Sequence, residues 1–118
     1  MAPAFQFGLV VRGQAEEGED ISRRFQETLR FVRLADRLGF DSITKTSHYS
    51  THPWQSFQQL PVLARLSAET TKLRLNAGII LLSLHKPLDI AEQLATIDIM
   101  SNGRAIFGAA LTPPRAHF

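Results

Sequence analysis

The sequence of 118 residues contains no cysteine, one tryptophan and one tyrosine. The absence of cysteine excludes disulfides, thiolate nucleophiles and cysteine-based metal sites, and it agrees with a reducing compartment. No apolar run approaches the ~20 residues that a membrane-spanning helix needs, and the first residues lack the basic segment of a signal peptide. We therefore expect a cytoplasmic protein with no membrane partner.

The sequence also has no large excess of positive or negative charge. Thirteen basic and eleven acidic residues give a formal net charge of +2. The arginines between residues 23 and 37 alternate with Glu27 and Asp36, which favours a solvated helix face over a phosphate-binding patch. His48 and His52 have a ligand-like spacing, but Pro53 indicates a loop and no third ligand accompanies them. We expect neither a nucleic-acid partner nor a metal site.

The residues that are present indicate one globular domain, spanning residues 1–118, because 44% are hydrophobic and 20% are charged. Apolar periodicities of two and of three to four alternate along the chain and predict the order β-α-β-α-β-α-β. Strands are predicted at residues 5–11, 40–44, 73–84 and 104–111, and helices at residues 21–38, 60–70 and 87–101. The acidic segment 13–20 is predicted as a loop.

Local signals support these helices. Gly39 suits the C-terminal end of the first helix, and Pro87 suits the first turn of the third. Ser56 and Gln59 have the spacing of a capping box, although Pro61 argues that the second helix starts close to Leu60, with the proline in its first turn. The stripe expected to be buried on the first helix is Ile21, Phe25, Leu29, Val32, Ala35 and Leu38, and that on the third is Ile90, Leu94, Ile97 and Met100.

The predicted order implies parallel strands joined by right-handed crossovers. The third strand is almost continuously apolar, which is typical of a strand covered on both faces. Both an open doubly wound sheet and part of a (β/α) barrel fit, and periodicity does not separate them.

Four segments do favour one architecture. They are ADRLGFDSI at 35–43, a histidine five residues later, LRLNAGIILLSLHKPL at 73–88 and AEQLATIDIMSNGRAIFGAA at 91–110. In order and spacing they resemble the bacterial luciferase-like flavin-dependent monooxygenase family, from about Phe5 to Ala110. The resemblance implies a TIM-type barrel that uses reduced FMN, or the deazaflavin F420, to oxidise or reduce small organic molecules. With four strands and three helices the chain resembles the N-terminal half of such a barrel.

The resemblance assigns His48 to the active site as the catalytic residue. An imidazole titrates near neutral pH and can exchange a proton with a substrate oxygen. The family often carries an acid before this histidine, whereas this chain has Ser47. The competing interpretation is a loop histidine that is hydrogen-bonded to its neighbours.

The same resemblance places the cofactor against Ala77, Gly78, Ile79, Ala109 and Ala110. The family commonly has a non-proline cis peptide at the position of Gly78-Ile79, behind the flavin ring, and small residues let a ring approach the backbone. The competing interpretations are a simple bulge or tight packing point at Gly78 and ordinary core alanines at 109 and 110.

Two functions remain open. The first is a luciferase-like oxidoreductase that becomes active when a homodimer or a higher homo-oligomer completes the site around a small-molecule substrate. The second is an inert remnant that acts as a self-association module. The later strands that carry much of the family's phosphate site are missing, and Pro113-Pro114 follows the fourth strand. We therefore expect weak FMN binding, or no cofactor in the isolated chain.

Overall fold

The computed structural model describes residues 5–111, so Pro113-Pro114 lies outside the described residues. The chain order contains six strands, three α-helices and one short 3₁₀ turn in this range. The strands are β1 (Gly8–Val11), β2 (Gln14–Ala15), β3 (Ser42–Lys45), β4 (Gln55–Ser56), β5 (Arg74–Leu81) and β6 (Ala105–Ala110). The helices are α1 (Ile21–Leu38), α2 (Gln59–Glu69) and α3 (Pro87–Met100), with the 3₁₀ turn at Leu82–Leu84.

Four parallel strands form the main sheet in the order β1-β3-β5-β6. Each strand is joined to its neighbour in the sheet by one of the three helices, as the predicted alternation requires. The α/β prediction is therefore confirmed. The structure adds a feature that the sequence did not reveal, an antiparallel ribbon in which β2 pairs with β4.

The helices cover only one face of this sheet. Register places Val11, Lys45 and Ala77 in one row, and all three side chains are buried. The neighbouring row points the other way and none of its members is buried; it consists of Val10, Thr44, Asn76 and Ile106. A doubly wound sheet carries helices on both faces, whereas a barrel strand has helices only outside, so the arrangement is that of barrel strands. We call the uncovered side, with Gly108 added, the open face.

Several local predictions were wrong. Within residues 5–111, β5 is covered on one face, and Ile79 is 48% exposed. The first strand begins at Gly8, and Phe5 lies exposed before it. Met100 and Leu38 are half exposed or more instead of buried, because they lie at the last turns of their helices, beyond the edge of the core. The predicted capping box is also missing: the N-cap of α2 is Gln58, with no side-chain cap, and Ser56 belongs to β4.

The loop between α2 and β5 is fastened by an acid from α1. The Asp36 carboxylate accepts hydrogen bonds from the backbone N–H groups of Thr71, Lys72 and Leu73 at 2.9–3.0 Å, and from the Thr71 hydroxyl. Burial alone would raise the pKa of Asp36, but these hydrogen bonds outweigh it and lower the pKa below its ordinary value. Asp36 is therefore a structural anchor of this loop, a role that the sequence did not indicate.

Arg104 fastens the same loop from the other side. Its five N–H donors reach the carbonyl oxygens of Ser67, Thr70, Leu73 and Ser101 and the hydroxyl of Thr70, at 2.7–3.0 Å. In the turn before it, Asn102 and Gly103 both have positive φ. The SNGR segment therefore has a structural role, which is to hold the loop before β5 at the N-terminal end of the strands.

Candidate functional site

A bulge in β5 lies at the C-terminal end of the sheet, where a barrel of this type carries its chemistry. The pairing of β5 with β6 shifts register between Ala77 and Ile80, and the Gly78-Ile79 peptide within the shift is cis. Beyond it, Ile80 pairs with Ala109 and Leu81 with Ala110. The structure therefore brings together the residues that the resemblance assigned to the cofactor.

These residues differ in what they can offer. The Ala77 side chain is fully buried in the core, so only its backbone can touch a ligand. Ile79 and Ala109 are exposed. A Cβ added at Gly78 would lie 2.8 Å from Thr44 Cγ2, so glycine is required there by packing against the neighbouring strand, whatever else it does.

Gly108 completes this surface, although sequence reasoning passed over it. A Cβ at Gly108 would lie 3.2 Å from the Ala77 carbonyl oxygen and 4.0 Å from Asn76 Oδ1. Gly78 and Gly108 lie side by side on adjacent strands, so neither strand carries a side chain at this point of the open face. The signal was present in the run FGAA, where small residues end a strand.

Asn76 was also missed. It lies on the open face, where its Nδ2 donates to Thr44 Oγ1 at 3.1 Å, and its Oδ1 is buried with no hydrogen-bond partner among the described residues. A polar residue inside an apolar strand was the available signal, since buried carboxamides are normally satisfied.

Lys45 occupies a buried position at the end of β3, and sequence reasoning did not single it out. Its Nζ donates to the carbonyl oxygens of Arg12 at 3.1 Å and Thr46 at 2.7 Å. Burial lowers the pKa of Lys45 to about 8 because desolvation disfavours the charged form. Gln59 Nε2 donates to the Lys45 carbonyl from α2. Lys45 thus ties together the chain segments that follow β1 and β3.

His48 lies on the loop between β3 and β4, and the β2–β4 ribbon holds this loop against the acidic segment after β2. Gln55 Nε2 donates to the Glu16 carbonyl at 3.0 Å and reinforces the ribbon. A cleft of about 650 Å³ opens between the two segments. We call it the ribbon cleft; its lining includes Glu17, Glu19, His48, His52, Trp54 and Ser56.

A smaller cavity of about 240 Å³ connects this loop with the end of β5, since Ser47 and Ile80 both line it. His85, which follows the 3₁₀ turn, lines the same cavity. His48 is absent from that lining and lines the ribbon cleft instead, which no residue of β5 reaches.

The residues present fit the ring of a flavin or deazaflavin better than its phosphate. The open backbone at Gly78 and Gly108 suits a flat ring, because a ring can approach where no Cβ projects. A phosphate needs N–H donors or cations. Lys45 does not provide one on the open face, because it lies in the buried row with Val11 and Ala77 on the other side of the sheet. The fit therefore holds for the ring and is not extended to the phosphate.

The described residues contain no group of three or more His, Asp or Glu side chains placed to hold a metal ion. None of the helices within residues 5–111 is long and apolar enough to cross a membrane.

The family model described as "Luciferase-like monooxygenase" matches residues 5–118. A luciferase-like monooxygenase of Escherichia coli (strain K12) is 30% identical over 107 residues, which cover 91% of this chain and 32% of the relative. The chain thus spans about a third of the length of the curated relatives that it matches.

Solved structures agree with this match. The coenzyme F420-dependent tetrahydromethanopterin reductase of Methanopyrus kandleri superposes with a TM-score of 0.71 at 25% identity, over 88% of this chain and 26% of the reductase. The oxygenating constituent of a 3,6-diketocamphane monooxygenase of Pseudomonas putida, in complex with FMN, gives a TM-score of 0.83 over 93% of this chain and 30% of its own. At 19% identity the second likeness concerns the fold alone.

Proposed function

Because the chain belongs to the luciferase-like monooxygenase family, we propose that it provides the cofactor-facing strands of a flavin- or F420-dependent oxidoreductase that acts on a small organic substrate. The observation that carries the proposal is the bare backbone where β5 and β6 end. Gly78 and Gly108 adjoin there on the open face, since a Cβ added at Gly108 would lie 3.7 Å from Gly78 Cα. A flat conjugated ring is the ligand chemistry that such a surface favours.

In this proposal FMN or F420 supplies the redox chemistry when bound. The chain itself contacts the ring and holds or releases a proton. The bulge at Gly78 and the backbone at Gly108 form the surface under the ring. His48 lies at the same end of the sheet on the loop after β3, where it holds or releases a proton on a substrate oxygen. Ser47 stands beside it instead of an acid, so any support for an imidazolium comes from elsewhere.

The surface under the ring can be tested by covering it. Ala110→Phe places a large side chain on the open face at the end of β6, two residues after Gly108, and Ala95→Phe places the same side chain on the exposed face of α3. We expect wild-type protein to bind FMN or F420 with a Kd of about 10 μM or weaker, near −7 kcal/mol. Ala110→Phe should weaken binding at least tenfold, and Ala95→Phe should leave it unchanged. Equal affinities for Ala110→Phe and wild type would contradict the proposal.

The second candidate, an inert module that associates with itself, also has an observation in its favour. In residues 5–111, β1 pairs only with β3 and β6 only with β5, and the open face leaves Val10 58% exposed. Unpaired strand edges and exposed apolar side chains favour association. We expect a second copy to cover this face, so light scattering should give at least twice 13.2 kDa. A cooperatively folding monomer would exclude this candidate.

A further inference from the structure

The ribbon cleft has a charge pattern that the proposed function does not use. The pairing of Ala15 with Gln55 in the ribbon brings Glu17 and Trp54, which are far apart in sequence, to the same cleft. No lysine or arginine belongs to its lining. This distinguishes the cleft from the rest of a chain whose net charge is positive.

One carboxylate of this cleft is uncompensated. The pKa of Glu19 is lowered, first by the hydrogen bond that its carboxylate accepts from the Glu16 N–H and then by its ion pair with Arg24. Glu17 makes no ion pair or hydrogen bond with any residue in the described range of 5–111. A negative charge without a partner therefore faces a cavity of about 650 Å³.

Two further groups point to a ligand. Trp54 is 49% exposed, and the one aromatic contact recorded among the described residues joins Phe25 to Phe57, away from it. An exposed indole face attracts cations more strongly than any other side-chain ring. Ser56 also lines the cleft, and its buried hydroxyl has no hydrogen-bond partner in the part of the chain that the structure describes.

We propose that the ribbon cleft binds an organic cation, an amine or a quaternary ammonium group, through the Glu17 carboxylate and the face of Trp54. The unpaired carboxylate would repel an anion, and the mostly polar lining would disfavour a neutral apolar group. Binding of a cation at this site needs no flavin, so its test is independent of the test of the proposed function.

Trp54 makes the test direct, because it is the single tryptophan of the chain and its emission reports on the cleft. Wild-type protein is titrated with choline and with 3,3-dimethylbutan-1-ol, which has the same shape without the charge. We expect choline to change the emission with an apparent Kd at least fivefold lower than that of the alcohol. Equal affinities, or no response to 100 mM choline, would overturn the proposal.

A pair of neighbouring carboxylates provides the matched control. Glu17→Gln should weaken choline binding about fivefold, the effect of one unit charge at about 4 Å in water. Glu16→Gln removes the same charge one residue away, outside the lining, and should leave binding unchanged. Melting curves of both variants should coincide with that of wild type, because both side chains are exposed. Equal losses for the two variants would reduce the effect to overall charge and refute the assigned site.

Discussion

The contacts of Arg104 predict that its substitution lowers folding stability more than substitution of a surface arginine does. Arg104→Ala removes five hydrogen bonds and leaves the carbonyls of Ser67, Thr70 and Leu73 without their donor. Hydrogen bonds from charged groups contribute about 1.5–3 kcal/mol each when buried. Since this network is only partly buried, we expect a total loss of about 3 kcal/mol, or a fall in Tm of about 12 °C for a domain of this size.

Arg104→Lys separates geometry from charge. Lysine keeps the cation but has three donors from one nitrogen, which cannot reach acceptors spread over two loops. We expect a loss of about 2 kcal/mol, or about 8 °C in Tm. Arg23→Ala is the control, because its ion pair with Glu27 is made by a side chain that is 76% exposed, and it should cost less than about 1 kcal/mol. Melting of Arg104→Lys within about 2 °C of wild type would refute this reasoning.

Three further predictions follow from other contacts. The lowered pKa of Asp36 means that its contribution is present above the unfolded pKa of about 3.9 and is lost as pH falls through the lower folded value. The stability difference between wild type and Asp36→Asn, about 2 kcal/mol at pH 7, should therefore shrink below about pH 4 in urea titrations; a constant difference would contradict it. Lys45 is the reverse case: with a folded pKa of about 8 against 10.5 unfolded, the unfolded state binds more protons between these values, so stability should rise from pH 8 to 10.5 in wild type and not in Lys45→Met. If flavin-dependent turnover is detected, His48→Ala should lower kcat about 10²-fold with an unchanged melting temperature; an equal loss in His52→Ala would assign the effect to the loop as a whole.

The helices and their alternation with the strands were predictable, because their signals are local. Asp20 caps α1 and Gly39 ends it at positive φ, and α3 begins at Pro87 and ends before the Asn102-Gly103 turn. Such signals depend on neighbours within one turn of helix, which a sequence shows directly.

The remaining features depend on distant neighbours. The β2–β4 ribbon has two residues in each strand, too few for a period. Whether Asn76 faces a helix or an open surface depends on which side of the sheet the crossovers take, and Lys45 is buried because Arg12 and Thr46 offer carbonyls from two segments. Of the candidate site, the sequence and the resemblance predicted which residues adjoin at the bulge, but not that Ala77 points into the core or that His48 opens into a different cleft.

The double anchoring of the loop before β5 has a consequence at the opposite end of the strand. Asp36 binds the Leu73 N–H and Arg104 binds the Leu73 carbonyl, so this residue cannot slide along the strand direction. Gly78 lies five residues further, or about 16 Å at 3.3 Å per residue. A slip of one residue would turn Asn76 inward and Ala77 outward. Leu73 therefore fixes the register of β5. We expect substitutions at Asp36 or Arg104 to displace the bulge, although neither residue contacts it.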